Sequence, residues 1–228
     1  MNQNKKILIL SFLIITALIF VIVFIPKKVT SPISTNSPIQ TPSINATNPT
    51  PTPSEIAPTP IEEPNGLIEP VINFESRVTK KPFGIYVTPS NSPVQPEKFT
   101  GFHTGADAEY GDEDSDTPLY AVSDGTIEYS GHVNGYGGVL VINQNINGQN
   151  TLCLYGHVAV SSIPPKGTTV TKGQSLGRLG HAYSSETDGE RKHLHFAMIK
   201  ENSIDFRGYV QTQSELNNWY DPLTFFTK

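Results

Sequence analysis

The chain has 228 residues and a formal net charge of −5, which excludes the broad basic footprint of a nucleic-acid-binding protein. Its single cysteine, Cys153, excludes an internal disulfide framework and a zinc site built on several thiolates. The 19 prolines and 18 glycines are unevenly placed, and that unevenness divides the chain.

Residues 1–6 read as a short cytoplasmic tail ending in Lys5-Lys6. Ile7–Ile25 is a run of 19 residues without charge, proline or glycine. As a helix it is about 28 Å long, close to the hydrocarbon thickness of a bilayer. It ends in Ile25-Pro26-Lys27-Lys28 with no small-residue cleavage pattern, so 7–25 is expected to be an uncleaved, single-pass transmembrane signal anchor. Residues 26–70 are rich in Ser, Thr, Pro and Asn, with Thr-Pro repeated between Pro49 and Pro60. Too few large apolar groups are present to offset the ordering entropy, and a disordered, extended tether is expected.

From Val71 the texture changes to short β-type runs split by glycine-containing turns. Residues 71–98 form an N-terminal extension without a clear pattern, and 99–228 hold the main domain. Pro118–Ser123 and Thr126–Tyr129 flank Asp124-Gly125, a tight-turn signal. Gly138–Asn143 and Thr151–Tyr155 flank Asn147-Gly148, a second one. Thr168–Thr171 and Gln174–Gly177 are separated by Lys172-Gly173, and His193–Lys200 is the last clear strand. Helix signals are weak, with one or two turns expected over Gln213–Trp219. The fold class is therefore all-β and antiparallel. Cys153, among apolar neighbours, reads as a core residue.

The chain has six histidines, and four of them fall in three local patterns. His193 and His195 are two apart on a strand, so both imidazoles project from one face with Leu194 on the other. His103 and Asp107 pair an imidazole with a carboxylate around Gly105, donors that zinc accepts well. His157 ends the run Leu154–His157. Their joint occurrence in one β-rich domain is more informative than any one of them. His132 and His181 lie in turn-like segments and read as surface residues.

His103-x-x-x-Asp107 followed by His193-x-His195 resembles the signature of the lysostaphin-like, or LytM-type, zinc peptidases of duplicated-hybrid-motif fold. Thr117–Ile127 is similar to that family's TPVYA-x-x-DG-x-V segment, and Gly135–Ile142 to its GYG-x-x-V-x-I strand. Lys166–Gly177 resembles its K-x-G-x-x-V-x-x-G-Q-x-I-G hairpin, and Leu154–His157 its Y-x-H strand end. The resemblance runs in family order from about Phe99 to Lys200. It implies a barrel-sandwich-hybrid β domain with one Zn²⁺, held by His103, Asp107 and His195, and two catalytic histidines, His157 and His193. It also implies hydrolysis of peptide bonds in peptidoglycan stems or cross-bridges. Peptidoglycan as partner would place the domain outside the cell membrane. The alternative is a LytM-type domain without activity that binds wall material or activates another hydrolase; retention of all five polar residues argues for the enzyme. Lys166–Gly177 also resembles the hairpin of biotinyl and lipoyl carriers, but Lys172 lacks their flanking residues. The family loop after Asp107 is longer and more acidic here, with five carboxylates over Glu109–Asp116. Such a cluster is a composition for Ca²⁺, although a solvated acidic loop is the preferred reading. Trp219 is expected to be a packing residue.

Overall fold

The computed structural model of the chain describes residues 66–200 and 202–226. The expected anchor at 7–25 and the tether as far as residue 65 lie outside them. Among the described residues no helix is long and apolar enough to cross a membrane.

Twelve strands follow one another: β1 (Tyr86–Val87), β2 (Gly101–His103), β3 (Ala106–Glu109), β4 (Pro118–Tyr120), β5 (Gly125–Val133) and β6 (Gly137–Ile146), then β7 (Gln149–Gly156), β8 (Thr169–Val170), β9 (Ser175–Arg178), β10 (His193–Ile199), β11 (Tyr209–Val210) and β12 (Trp219–Tyr220). Two four-residue helices, α1 (Phe74–Arg77) and α2 (Leu223–Phe226), complete the regular structure of the described residues with two 3₁₀ turns. One of these turns, Gln213–Asn218, is closed by a capping box between Thr212 and Glu215, which explains why this weakly helical stretch winds at all.

The main sheet has the order β12-β10-β7-β6-β5-β8, with β3 also paired to β10. All of its pairings are antiparallel. β3 and β12 occupy consecutive stretches of β10, at 193–196 and 198–199. A small sheet, β1-β2-β11, and a two-stranded one, β4-β9, flank it.

Side-chain alternation builds a separate cluster on each face of the main sheet. Leu140, Ile142, Cys153, Tyr155, Leu194, Phe196 and Met198 join Phe74 and Leu119 in the larger core. Val139, Val141, Leu152, Leu154, Ala197 and Ile199 join Val210 and Trp219 in the other. With both faces covered, all seven residues of β10 are buried. Trp219 is a packing residue, 2% exposed.

The Asn147-Gly148 hairpin forms as expected between β6 and β7, both turn residues taking positive φ of 53° and 81°. Two other expected hairpins do not form. β4 pairs with β9, and β5 pairs with β6 and β8, so Asp124-Gly125 joins strands of different sheets. Lys172-Gly173 likewise joins β8 to β9 across two sheets. Each turn is a local signal, but a two-residue link cannot specify which distant strand completes the ladder.

The expected boundary after residue 70 also moves. Leu67, Ile68 and Glu69 are buried, Ile68 donates to the Val122 carbonyl (3.0 Å), and Tyr120 donates to the Pro70 carbonyl (2.9 Å). A single Leu-Ile pair in a polar stretch is too short a signal to mark the start of a domain.

Cys153 is wholly buried, and burial pushes its thiol well above the usual range. The native protein is therefore expected to resist alkylation by iodoacetamide at pH 8 and to react once denatured. Mass spectrometry distinguishes the two, and rapid native labelling would contradict this placement.

Candidate active site

β2 delivers His103, the Thr104-Gly105 turn follows, and β3 delivers Asp107 directly opposite His195 on β10. A Cβ at Gly105 would lie 2.6 Å from the Phe196 carbonyl oxygen and 2.8 Å from the His195 ring. Glycine is thus the residue that lets this turn approach the imidazole. His193 and His195 share one face of β10, while Leu194 enters the larger core. His157 follows β7 in the left-handed region, with φ of 62°. That is an uncommon conformation for a side-chain-bearing residue, and one that concentrates at functional sites.

The three expected ligand atoms converge. His103 Nε2 lies 3.0 Å from His195 Nδ1 and 3.2 Å from Asp107 Oδ1, and His195 Nδ1 lies 3.0 Å from the same oxygen. Among the described residues this is the group of His, Cys, Asp and Glu side chains able to hold a metal ion. One remaining partner assigns the tautomer of His103. His103 Nδ1 faces the Pro82 carbonyl at 3.2 Å and so carries the proton, leaving Nε2 bare. His195 Nε2 faces the Tyr136 hydroxyl at 3.2 Å, a group able to donate to it or accept from it. The three metal-binding atoms, within 3.2 Å of one another, form a compact locus for a cation. The donor set therefore fits Zn²⁺, whose bonds to nitrogen and oxygen are about 2 Å.

His193 lies beside this group, its Nε2 3.4 Å from Asp107 Oδ2 and its Nδ1 donating to the Arg191 carbonyl at 2.9 Å. The His157 ring is 4.2 Å from that of His193. All five residues line one cleft of about 260 Å³. A larger cavity, about 880 Å³, adjoins it through Glu190 and Arg191 but holds none of the five.

Burial sets the electrostatics. It lowers the pKa of His157 to about 3 and holds His193 well below the ordinary value, the neighbouring His157 adding to the effect on His193. His195 is lowered by burial too. Burial acts to raise Asp107, but the neighbouring imidazoles of His103, His193 and His195 hold it well below the carboxylate range. At neutral pH the Asp107 carboxylate lies beside the neutral imidazoles of His157, His193 and His195, the state in which such groups bind metal.

Residues 101–206 match the sequence model of peptidase family M23. The chain carries a peptidase family M23 domain. No curated protein sequence matches it. Similar solved structures include LytU, with 25% identity over 65% of this chain and 83% of that one and a TM-score of 0.44. Helicobacter pylori Csd3 has 25% identity over 67% and 41%, with a TM-score of 0.40. A zinc-containing peptidase from Vibrio cholerae has 21% identity over 61% and 42%, with a TM-score of 0.34. The chain thus spans less than half the length of the latter two.

Several residues of the M23 site carried no sequence signal. Lys81, Pro82 and Ile85 come from the unpatterned extension and bracket His103 and Asp107. Asp107 N–H donates to the Lys81 carbonyl, and His103 N–H to that of Ile85. Lys81 Nζ lies 2.5 Å from Glu97 and 3.0 Å from the Tyr209 hydroxyl, and Tyr209 packs against the His103 ring. The Lys81 and Glu97 side chains are only 4% and 3% exposed. Lys81→Met would leave Glu97 buried without its partner, so a loss of about 3–5 kcal/mol is expected. Adding Glu97→Gln should recover part of it. Urea unfolding measures both, and a wild-type midpoint for the single variant would refute the assignment.

The acidic loop is largely exposed, as expected, and is tied down at three of its carboxylates. Arg77 holds Asp112 and Glu113, each at 2.5 Å, and Arg191 grips Glu109. Lys192 donates to the Glu113 and Ser115 carbonyls. These basic partners are remote in sequence, so the composition alone did not show them. His132 and His181 are exposed and stand apart from the cleft, as expected.

Proposed function

We propose that the M23 domain is a zinc metalloendopeptidase that hydrolyses peptide bonds in the stems or cross-bridges of peptidoglycan. The observation that carries this reading is the meeting of His103, Asp107 and His195 with His157 and His193 on one cleft. His103, Asp107 and His195 would hold the ion. When bound, zinc supplies a Lewis acid that polarises the scissile carbonyl and acidifies water. His193 Nε2, bare because Nδ1 donates to Arg191, accepts the proton of the attacking water. The imidazolium so formed, together with His157, then faces the oxygen on which negative charge develops. Both imidazoles are buried and neutral beforehand, so neither must shed a proton to begin. A substrate outside the cytoplasm fits the expected anchor at 7–25 and the tether, which would lift the domain toward the wall from a single-pass position in the cell membrane.

The test is to measure the zinc content of the full-length chain and incubate it with purified peptidoglycan. One zinc per chain and new peptide termini, located by mass spectrometry, are expected. Full zinc with no cleavage of walls of several chemistries would favour a wall-binding or activating role and overturn the enzyme.

A further inference from the structure

Arg191 lies two residues before His193, outside every pattern discussed above, yet it contacts both Asp107 and His193. Its Nη2 donates to Asp107 Oδ2 at 2.8 Å. Its Nε and Nη2 also grip Glu109 at 2.6–3.0 Å, and its main-chain carbonyl accepts from His193 Nδ1 at 2.9 Å. The side chain is 10% exposed. The two oxygens of Asp107 are thus divided. Oδ1 faces both ligand imidazoles, at 3.0 and 3.2 Å, while Oδ2 faces Arg191 and, less closely, His193.

We infer that Arg191 is a positioning residue of the metal site, occupying Asp107 Oδ2 so that Oδ1 alone is offered to the cation. The inference rests on the zinc reading above. A carboxylate with both oxygens free can swing and chelate one ion through both. A guanidinium on one of them fixes the plane and disperses part of the negative charge. The guanidinium fork is rigid, so the Glu109 carboxylate on its other edge sets its orientation. A lysine has no fork with which to bridge Asp107 and Glu109. Glu109–Arg191–Asp107 is therefore a supporting relay for one ligand, and the Arg191 carbonyl fixes the tautomer of the neighbouring base.

The experiment compares the full-length wild type with Arg191→Met, Arg191→Lys and Glu109→Gln. Zinc affinity is read by competition with a chelating dye, and coordination by the visible spectrum of the Co²⁺-substituted protein. Arg191→Met should weaken zinc binding by about 10–100-fold. Its cobalt absorption should fall as Asp107 turns bidentate and the coordination number rises. Arg191→Lys should recover only part of the affinity. Glu109→Gln should show a smaller loss of the same sign, less than additive with Arg191→Met. If Arg191→Met does not fold, the other two variants decide the matter. Zinc affinity as tight as wild type with an unchanged cobalt spectrum would overturn the inference while leaving the zinc site standing. A wild type that binds no zinc would remove the metallopeptidase reading and this inference together.

Discussion

Replacing His193 with Ala is expected to lower peptidoglycan cleavage by about 10²–10⁴-fold, the usual contribution of a positioned general base. Zinc content should stay at the wild-type value. The separation of the two effects follows from the geometry. His193 is buried at the cleft, but its Nε2 lies beside Asp107 Oδ2, whereas the three converging donor atoms belong to other residues. His195→Ala, two residues on, should instead lose the ion itself, because His195 Nδ1 is one of those three atoms. Metal analysis alongside a peptide-release assay separates the outcomes. Full activity in His193→Ala would show that the proton is taken elsewhere, and zinc loss in that variant would make His193 a ligand.

A chain begun at Phe99, just ahead of the segment that matches the family, is expected neither to fold stably nor to bind zinc. Such a cut removes Leu67, Val71 and Phe74, all buried in the larger core. Burial of a large apolar side chain contributes about 1.5–3 kcal/mol, so the three together contribute roughly 5–9 kcal/mol. That is comparable with the whole stability of a typical domain, about 5–15 kcal/mol. The cut also removes the Pro82 carbonyl that assigns the His103 tautomer, and Lys81, whose carbonyl receives the Asp107 N–H. Circular dichroism, thermal unfolding and zinc titration of the shortened chain would test this. A cooperative transition at the wild-type temperature would show that residues 66–98 are an appendage.

The site was legible where chemistry is carried by neighbours in sequence. His193 and His195 share a face because a strand has a period of two, whatever the rest of the fold does. Gly105 stands between His103 and Asp107 in the sequence, but only the packed structure shows that the Phe196 carbonyl and the His195 ring require a glycine there. The partners of these residues were not legible. Arg191, Lys81 and Tyr136 reach Asp107 or His195 through side chains or carbonyls across 26 to 84 positions of sequence, and nothing local shows that Arg191 or Lys81 would do so. The acidic loop shows the same limit from the other side. Its carboxylates are plain in the sequence, but whether they face water, a cation or Arg77 depends on the distant segments that fold beside them.

By itself the sequence determined the β character of the domain and the Asn147-Gly148 hairpin, and it singled out the five polar residues as candidates, because alternation, turn chemistry and donor type are local properties. Only the tertiary structure decided which strands pair across Asp124-Gly125 and Lys172-Gly173, where the domain begins, and which nitrogen of His103 and of His193 carries the proton. Those depend on ladder partners and hydrogen-bond acceptors that the chain brings together only when both faces of the sheet are buried.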